Sequence, residues 1–111
     1  MGVHFVFGSM DTPVVGFDWD EGNIGKCQKH GVSRREIEDA LNSRPVVAPD
    51  LRHSGTEQRF IAVQRNAEGR PMFIAFTYRQ VADGVLIRPV SARYMHKKEA
   101  AAYEKSTGSE D

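Results

Sequence analysis

Hydrophobic positions follow a helical period near the two ends of the chain and alternate through its middle. "FDWD" at Phe17–Asp20 predicts a short strand with Phe17 and Trp19 on one side. Asp20 then stands where an N-cap is wanted. A helix to His30 follows, closed by Gly31 in the left-handed region. Gly22 and Gly25 each weaken that helix by about 1 kcal/mol relative to alanine, so it needs tertiary support. "SRRE" at Ser33–Glu36 has capping-box spacing, and the second helix sets Ile37, Ala40 and Leu41 on one stripe before Pro45 stops it.

Beyond Pro45 the alternation takes over. "VVA" before Pro49 predicts a short strand, and "RFIAVQR", "PMFIAFTYR" and "VLIRPVSARY" predict three longer ones. The connections "NAEGR" and "QVADG" are hairpin-length and contain glycine. "MHKKEAAAYEK" returns to a helix with Ala100, Ala101 and Tyr103 able to pack down. The order is β-α-α-β-β-β-β-α, an α+β domain: a small antiparallel sheet with two N-terminal helices and one C-terminal helix. Phe60, Phe73 and Phe76 are expected in its core. Residues 11–105 are expected to form a single domain. Residues 1–10 are set aside as a tag or upstream-start extension, and 106–111 as an acidic flexible tail.

Composition narrows the class. In 111 residues, 40% are hydrophobic and 27% charged, which fits a soluble globular domain and argues against disorder. No apolar run approaches a membrane span. The one cysteine, Cys27, is expected to be buried packing, and it excludes an internal disulfide framework; this suits the cytoplasm. Fifteen basic residues balance fifteen acidic ones, yet the two are segregated. Eight basic residues lie between Arg59 and Lys98 against only Glu68 and Asp83. The flanking stretches are acidic on balance, so the molecule is expected to carry a field despite zero net charge.

The cationic middle holds most of the candidate chemistry. Plain alternation separates Arg88 from Arg93, but Pro89 belongs at an edge or a bulge, and a bulge shifts the parity so that both point to one side. The two arginines either pair with surface acids on the helices or hold a phosphate; charge alone favours the pairing. Arg59, Arg65 and Arg79 stand at strand ends, where distant positions collect into a patch. Guanidinium forks suit phosphate, and the interleaved Phe60, Tyr78 and Tyr94 are each either core or a stacking face for a base, core being the commoner role. Lys26, Lys29 and His30 lie at a helix C-terminus, either as caps of its last carbonyls or, for His30, as a general acid or base. Lys97 and Lys98 open the last helix. Glu99 beside them either complements its dipole or orients an arginine. Cys27 and His30 lack a second pair of ligands, and the other histidines are scattered, so no metal site and no cofactor is expected. No helix-turn-helix pattern supports direct DNA binding.

A resemblance then adds to these readings. "FDWDEGNIGKCQKHGVS", "RFIAVQR", "FIAFTYR" and "IRPVSARYMHKKEAAAYE", in that order, resemble the BrnT family of bacterial type II toxins, from about Phe17 to Glu104. The ordered set of "WD", "KHGVS", "RF" and "SAR" before a basic helix carries it. The resemblance implies a RelE-like fold and an RNA-cleaving toxin that halts translation. It also implies neutralisation by an antitoxin with a ribbon-helix-helix DNA-binding part. His30, Arg59, Arg88, Ser91, Arg93, Glu99 and Tyr103 fall on its recurring pattern, while Pro89 and Phe60 depart from its usual isoleucine and tryptophan. On this basis His30, Arg59, Arg88, Arg93 and Glu99 are the expected catalytic residues. Lys26, Lys29, Arg65, Tyr78, Arg79, Ser91, Lys97 and Lys98 are expected to contact RNA, with the ribosome as a candidate platform. The alternative is a non-catalytic module whose basic patch docks an acidic partner protein or RNA.

Overall fold

The computed structural model describes residues 4–7, 10–52 and 57–106, with side chains described from Pro13 to Arg52 and from Glu57 to Ala102. Strands β1 (His4–Phe7) and β2 (Met10–Phe17) come first, then helices α1 (Glu21–Gln28) and α2 (Arg34–Leu41). Strands β3 (Val46–Pro49), β4 (Phe60–Arg65), β5 (Pro71–Val81) and β6 (Gly84–Tyr94) follow, and helix α3 (Lys97–Ser106) ends the described chain. The fold is α+β, as the periodicity predicts. Of the tail expected at 106–111, Ser106 ends α3 and residues 107–111 lie outside the described residues.

Both early helices start on the caps that the sequence predicts. Asp20 accepts from the Asn23 amide while Asn23 Oδ1 accepts from the Asp20 amide, a capping box. Ser33 and Glu36 form a second box at α2. Gly31, at φ 90°, turns the chain between the two helices in the region that a side chain disfavours.

Strands run in the order β1-β2-β6-β5-β4-β3, antiparallel except for β2 with β6, which is parallel, so the sheet is mixed. The sequence reading ends its first strand at Asp20, whereas β2 occupies Met10–Phe17 and Trp19 lies in the following connection. Pro13 and Gly16 have low strand propensity, and tertiary pairing overrides it. A Cβ at Gly16 would stand 3.2 Å from Leu86 Cδ2, and one at Gly84 would collide with the Pro13 carbonyl. Absent side chains at these two glycines let β2 lie against β6. His4–Phe7, in the stretch set aside as an extension, pairs with β2 from Pro13 to Met10.

Along β5 the even residues face α1 and α2. Ile74 and Phe76 join Ala62, Ile87, Ala92, Cys27, Val32, Ile37 and Leu41 in the main core. The odd residues face the other way. There Phe73, with Ile61, packs against a smaller cluster of Val63, Met95 and Ala100 that seats α3. Phe73, expected in the core, is half-buried and packs in this second cluster on the opposite face.

Candidate anion-binding site on the open sheet face

The bulge expected around Pro89 is present. Ser91 pairs with Ala75 but Pro89 pairs with Phe76, leaving Val90 as the extra residue. Parity shifts across it. Arg93 lies opposite Phe73 and Arg88 opposite Thr77, so both arginines leave the same sheet face. Asn23 braces this turn of backbone: its side-chain amide donates to the Asp18 carbonyl at 2.9 Å and the Pro89 carbonyl at 2.8 Å.

On that face a recess of about 640 Å³ opens between the β3–β4 connection and the start of α3. Arg59, Ser91, Arg93 and Glu99 line it over an apolar floor of Ile61, Phe73 and Ala75, and Asp50, Leu51 and Arg52 close its far side. Arg93 lies over the Phe73 ring, 4.7 Å from its centroid. Its two terminal nitrogens donate to the two oxygens of Glu99 at 3.0 and 2.8 Å. Those hydrogen bonds hold the Glu99 carboxyl down to about 2, against a smaller opposing effect of burial, and raise Arg93 above its ordinary value. Glu99 also accepts from the His96 amide at 3.4 Å, which ties the pair to the first turn of α3. The pairing favours the charged form of both partners.

Arg88 has a different environment. Its guanidinium meets Asp20 at 3.1 Å and Asp18 at 3.4 Å, while Arg79 approaches Asp18 at 3.9 Å and Glu57 at 4.0 Å. The hydrogen bond from Arg88 holds Asp20 below the usual carboxylate range. Two arginines against three acids leave this end of the face without excess positive charge. Arg88 ties β6 to the cap of α1, the acid pairing that charge alone favours. "WD" is explained by the same corner: Asp20 caps and pairs, and Trp19 Nε1 donates to Glu38 of α2 at 2.8 Å beneath the Arg34 guanidinium.

Of the catalytic residues expected from the resemblance, Arg59, Arg93 and Glu99 come together, with Ser91 from the expected RNA contacts. His30 is exposed beyond the C-terminal end of α1, in the layer on the opposite face, where Lys26 and Lys29 are also exposed. Tyr78 stacks edge-on with Phe60 and Phe76 on that helix-covered face, and burial pushes its hydroxyl well above the usual tyrosine range. Tyr94 is engaged within the protein as well: its hydroxyl donates to Glu36 and Arg70 covers its ring at 3.6 Å. Arg65 donates to the Gly69 carbonyl in the β4–β5 turn. Lys97 lines a separate recess with Arg65 and Arg70, and Lys98 is exposed. The sequence reading misses Asp50, Leu51 and Arg52, which follow Pro49 and read as loop. Pocket-forming loops carry no periodic signal that would find them.

Fold and site together define a small α+β domain with a cationic recess on an open sheet face. The family model described as the ribonuclease toxin BrnT of type II toxin–antitoxin systems matches residues 19–99, and the chain belongs to that family. Membership makes it a toxin of the ribonuclease kind, with RNA as substrate and an antitoxin as partner. The matched span runs from Trp19 to Glu99 and takes in both walls of the recess. No curated protein matches the chain.

Proposed function

We propose that the chain is a metal-independent endoribonuclease that cuts RNA by attack of a 2′-OH on the adjacent phosphate, and thereby halts translation in the cytoplasm. The observation that carries this reading is the meeting of Arg59 and Arg93 in one open recess over an apolar floor. Attack builds negative charge on the phosphate, and guanidinium groups, permanently charged and forked, stabilise that charge where it develops. Glu99 orients Arg93 before substrate arrives, so little reorganisation accompanies binding. Ser91 stands beside them to donate to a phosphate oxygen, and Ile61 and Ala75 add apolar surface to the floor.

Proton transfer is the step to which the lining residues contribute least. Among the described residues lining the recess there is no histidine, and Glu99 is held ionised by Arg93. His30 reaches only an RNA that wraps the sheet edge. Water, or a group of the ribosome holding the message, then takes the 2′-OH proton. As the P–O5′ bond breaks, the departing 5′-oxygen takes a proton from water, leaving a 2′,3′-cyclic phosphate. An acidic segment of the antitoxin covers the recess in the silent complex, and its ribbon-helix-helix part makes the DNA contacts through which the pair represses its operon.

The same observation also favours the reading as a non-catalytic module, which predicts binding without products. Purified protein and its Arg93→Ala variant, incubated with single-stranded RNA in chelator, separate the two. Wild-type cleavage leaving cyclic or 3′-phosphate ends, with a loss of 100-fold or more in the variant on the order expected for a lost charge stabiliser, is the expected outcome. Salt-sensitive binding by wild type without products, both alone and on translating ribosomes, would establish the binding module instead.

A further inference from the structure

Asp50 stands where an RNA-binding recess has least use for it. Asp50 lines the recess together with Arg59 and Arg93 and is only 8% exposed, and a carboxylate there repels phosphate. It is also firmly held. The Asp50 amide continues the sheet ladder by donating to the Arg59 carbonyl at 2.7 Å, and Oδ1 accepts from the Arg52 amide at 3.2 Å. An ionised carboxylate is acceptor-only, so it is useful to a ligand that brings donors. Apart from the 2′-hydroxyl, the donors of an RNA chain are the N–H groups on its base edges.

The surroundings suit a base. Ile61, Phe73 and Ala75 make an apolar floor, and Leu51, 82% exposed, stands at the rim as a second apolar face. A recess of about 640 Å³ lies within the usual size range of small-ligand pockets. Guanine alone among the four bases turns two neighbouring donors, N1–H and the N2 amino group, along one edge, matching two carboxylate oxygens. Adenine and cytosine set one amino group beside an acceptor, and uracil has one N–H between two acceptors.

We propose that Asp50 reads a guanine next to the phosphate held by Arg59 and Arg93, so that this site selects where RNA is engaged. The proposal rests on the reading of the recess as an RNA site but not on cleavage. Binding is therefore measured with 2′-fluoro oligouridines, which cannot undergo the attack, carrying one central guanine, inosine, adenine or cytosine. Fluorescence anisotropy on the wild type is expected to show guanine about tenfold tighter than uracil, as for a two-point base contact. Inosine, which lacks the N2 amino group, falls between.

In Asp50→Asn the preference shrinks below about twofold while binding of the plain oligouridine persists, because Asn keeps the oxygen that accepts from Arg52. Equal affinity for all four bases in wild type, or a guanine preference that survives Asp50→Asn, overturns the proposal. Should the variant fail to fold, the wild-type guanine-to-inosine ratio decides alone, and a ratio of one overturns it. Failure to bind any oligomer overturns the RNA reading of the recess and this proposal with it. Guanine-selective binding by a protein that cuts no RNA leaves the proposal standing and removes only the catalytic step.

Discussion

At the first turn of α3, Glu99 and Arg93 meet through two parallel hydrogen bonds, and each favours the charged form of the other. The consequence for acid sensitivity follows from the direction of the shift. A carboxyl held near 2, below its unfolded-state value of about 4.3, adds stability that is fully present above that value. The contribution fades as pH falls from about 4 through 2. Wild type and Glu99→Gln are therefore expected to differ in urea midpoint by a constant amount from pH 5 to 8, and to converge toward pH 2. Denaturation series at pH 7 and pH 3 check this. An unchanged gap at pH 3 would place the origin of the difference outside the pair. The same pairing fits the orienting role proposed for Glu99 beside Arg93.

Among the elements, the join between α1 and β6 matters most for the site, because it holds the bulge that sets arginine parity. Asn23, 3% exposed, makes that join with hydrogen bonds to the Asp18 and Pro89 carbonyls and to the Asp20 amide. Asn23→Ala strips partners from buried backbone groups, and each unmade bond costs about 1–3 kcal/mol. A loss of about 3 kcal/mol in unfolding free energy is expected by urea denaturation, large against the usual effect of a single substitution. A loss below about 1 kcal/mol would show that water replaces the missing partners. The caps of α1 and α2 were legible because capping boxes are local: four residues contain all the groups that bond. Strand β2 was not legible as such, because what holds it is the space beside Gly16 and Gly84 and the β6 backbone far along the chain.

Over the whole molecule, charge segregation in sequence overstates the cationic surface. Eight basic residues from Arg59 to Lys98 suggest one continuous patch, but folding sends them in several directions. Arg88 and Arg79 meet Asp18, Asp20 and Glu57; Arg70 covers Tyr94; Arg65 bonds the β4–β5 turn. The recess itself gathers Arg52, Arg59 and Arg93. Single-stranded RNA binding is therefore expected to weaken with salt at a slope of about −2 in log K against log salt, the value for roughly three phosphate contacts. A slope near −5 or steeper would mean that the lysines of α1 and α3 also hold the strand. Titrations between 50 and 200 mM salt distinguish the two.

What the sequence by itself determined were the features whose causes are local in the chain: helix caps, the change from helical to alternating period, the order of elements and the tendency to bulge at Pro89. It also marked Arg59, Ser91, Arg93 and Glu99, since the ordered motifs that resemble the family carry them. The tertiary structure alone decided which charges neutralise one another and which face each strand residue serves. Arg88 and Arg93 leave one face of one strand, yet Arg88 meets two acids from the β2–α1 connection and Arg93 meets an acid of α3. Asp50 enters the recess only because β3 lies beside β4 at the sheet edge. Side-chain alternation can be read along a single strand, but the partner of a charge is set by pairing and packing between segments distant in sequence, and that information exists only once the chain has closed on itself.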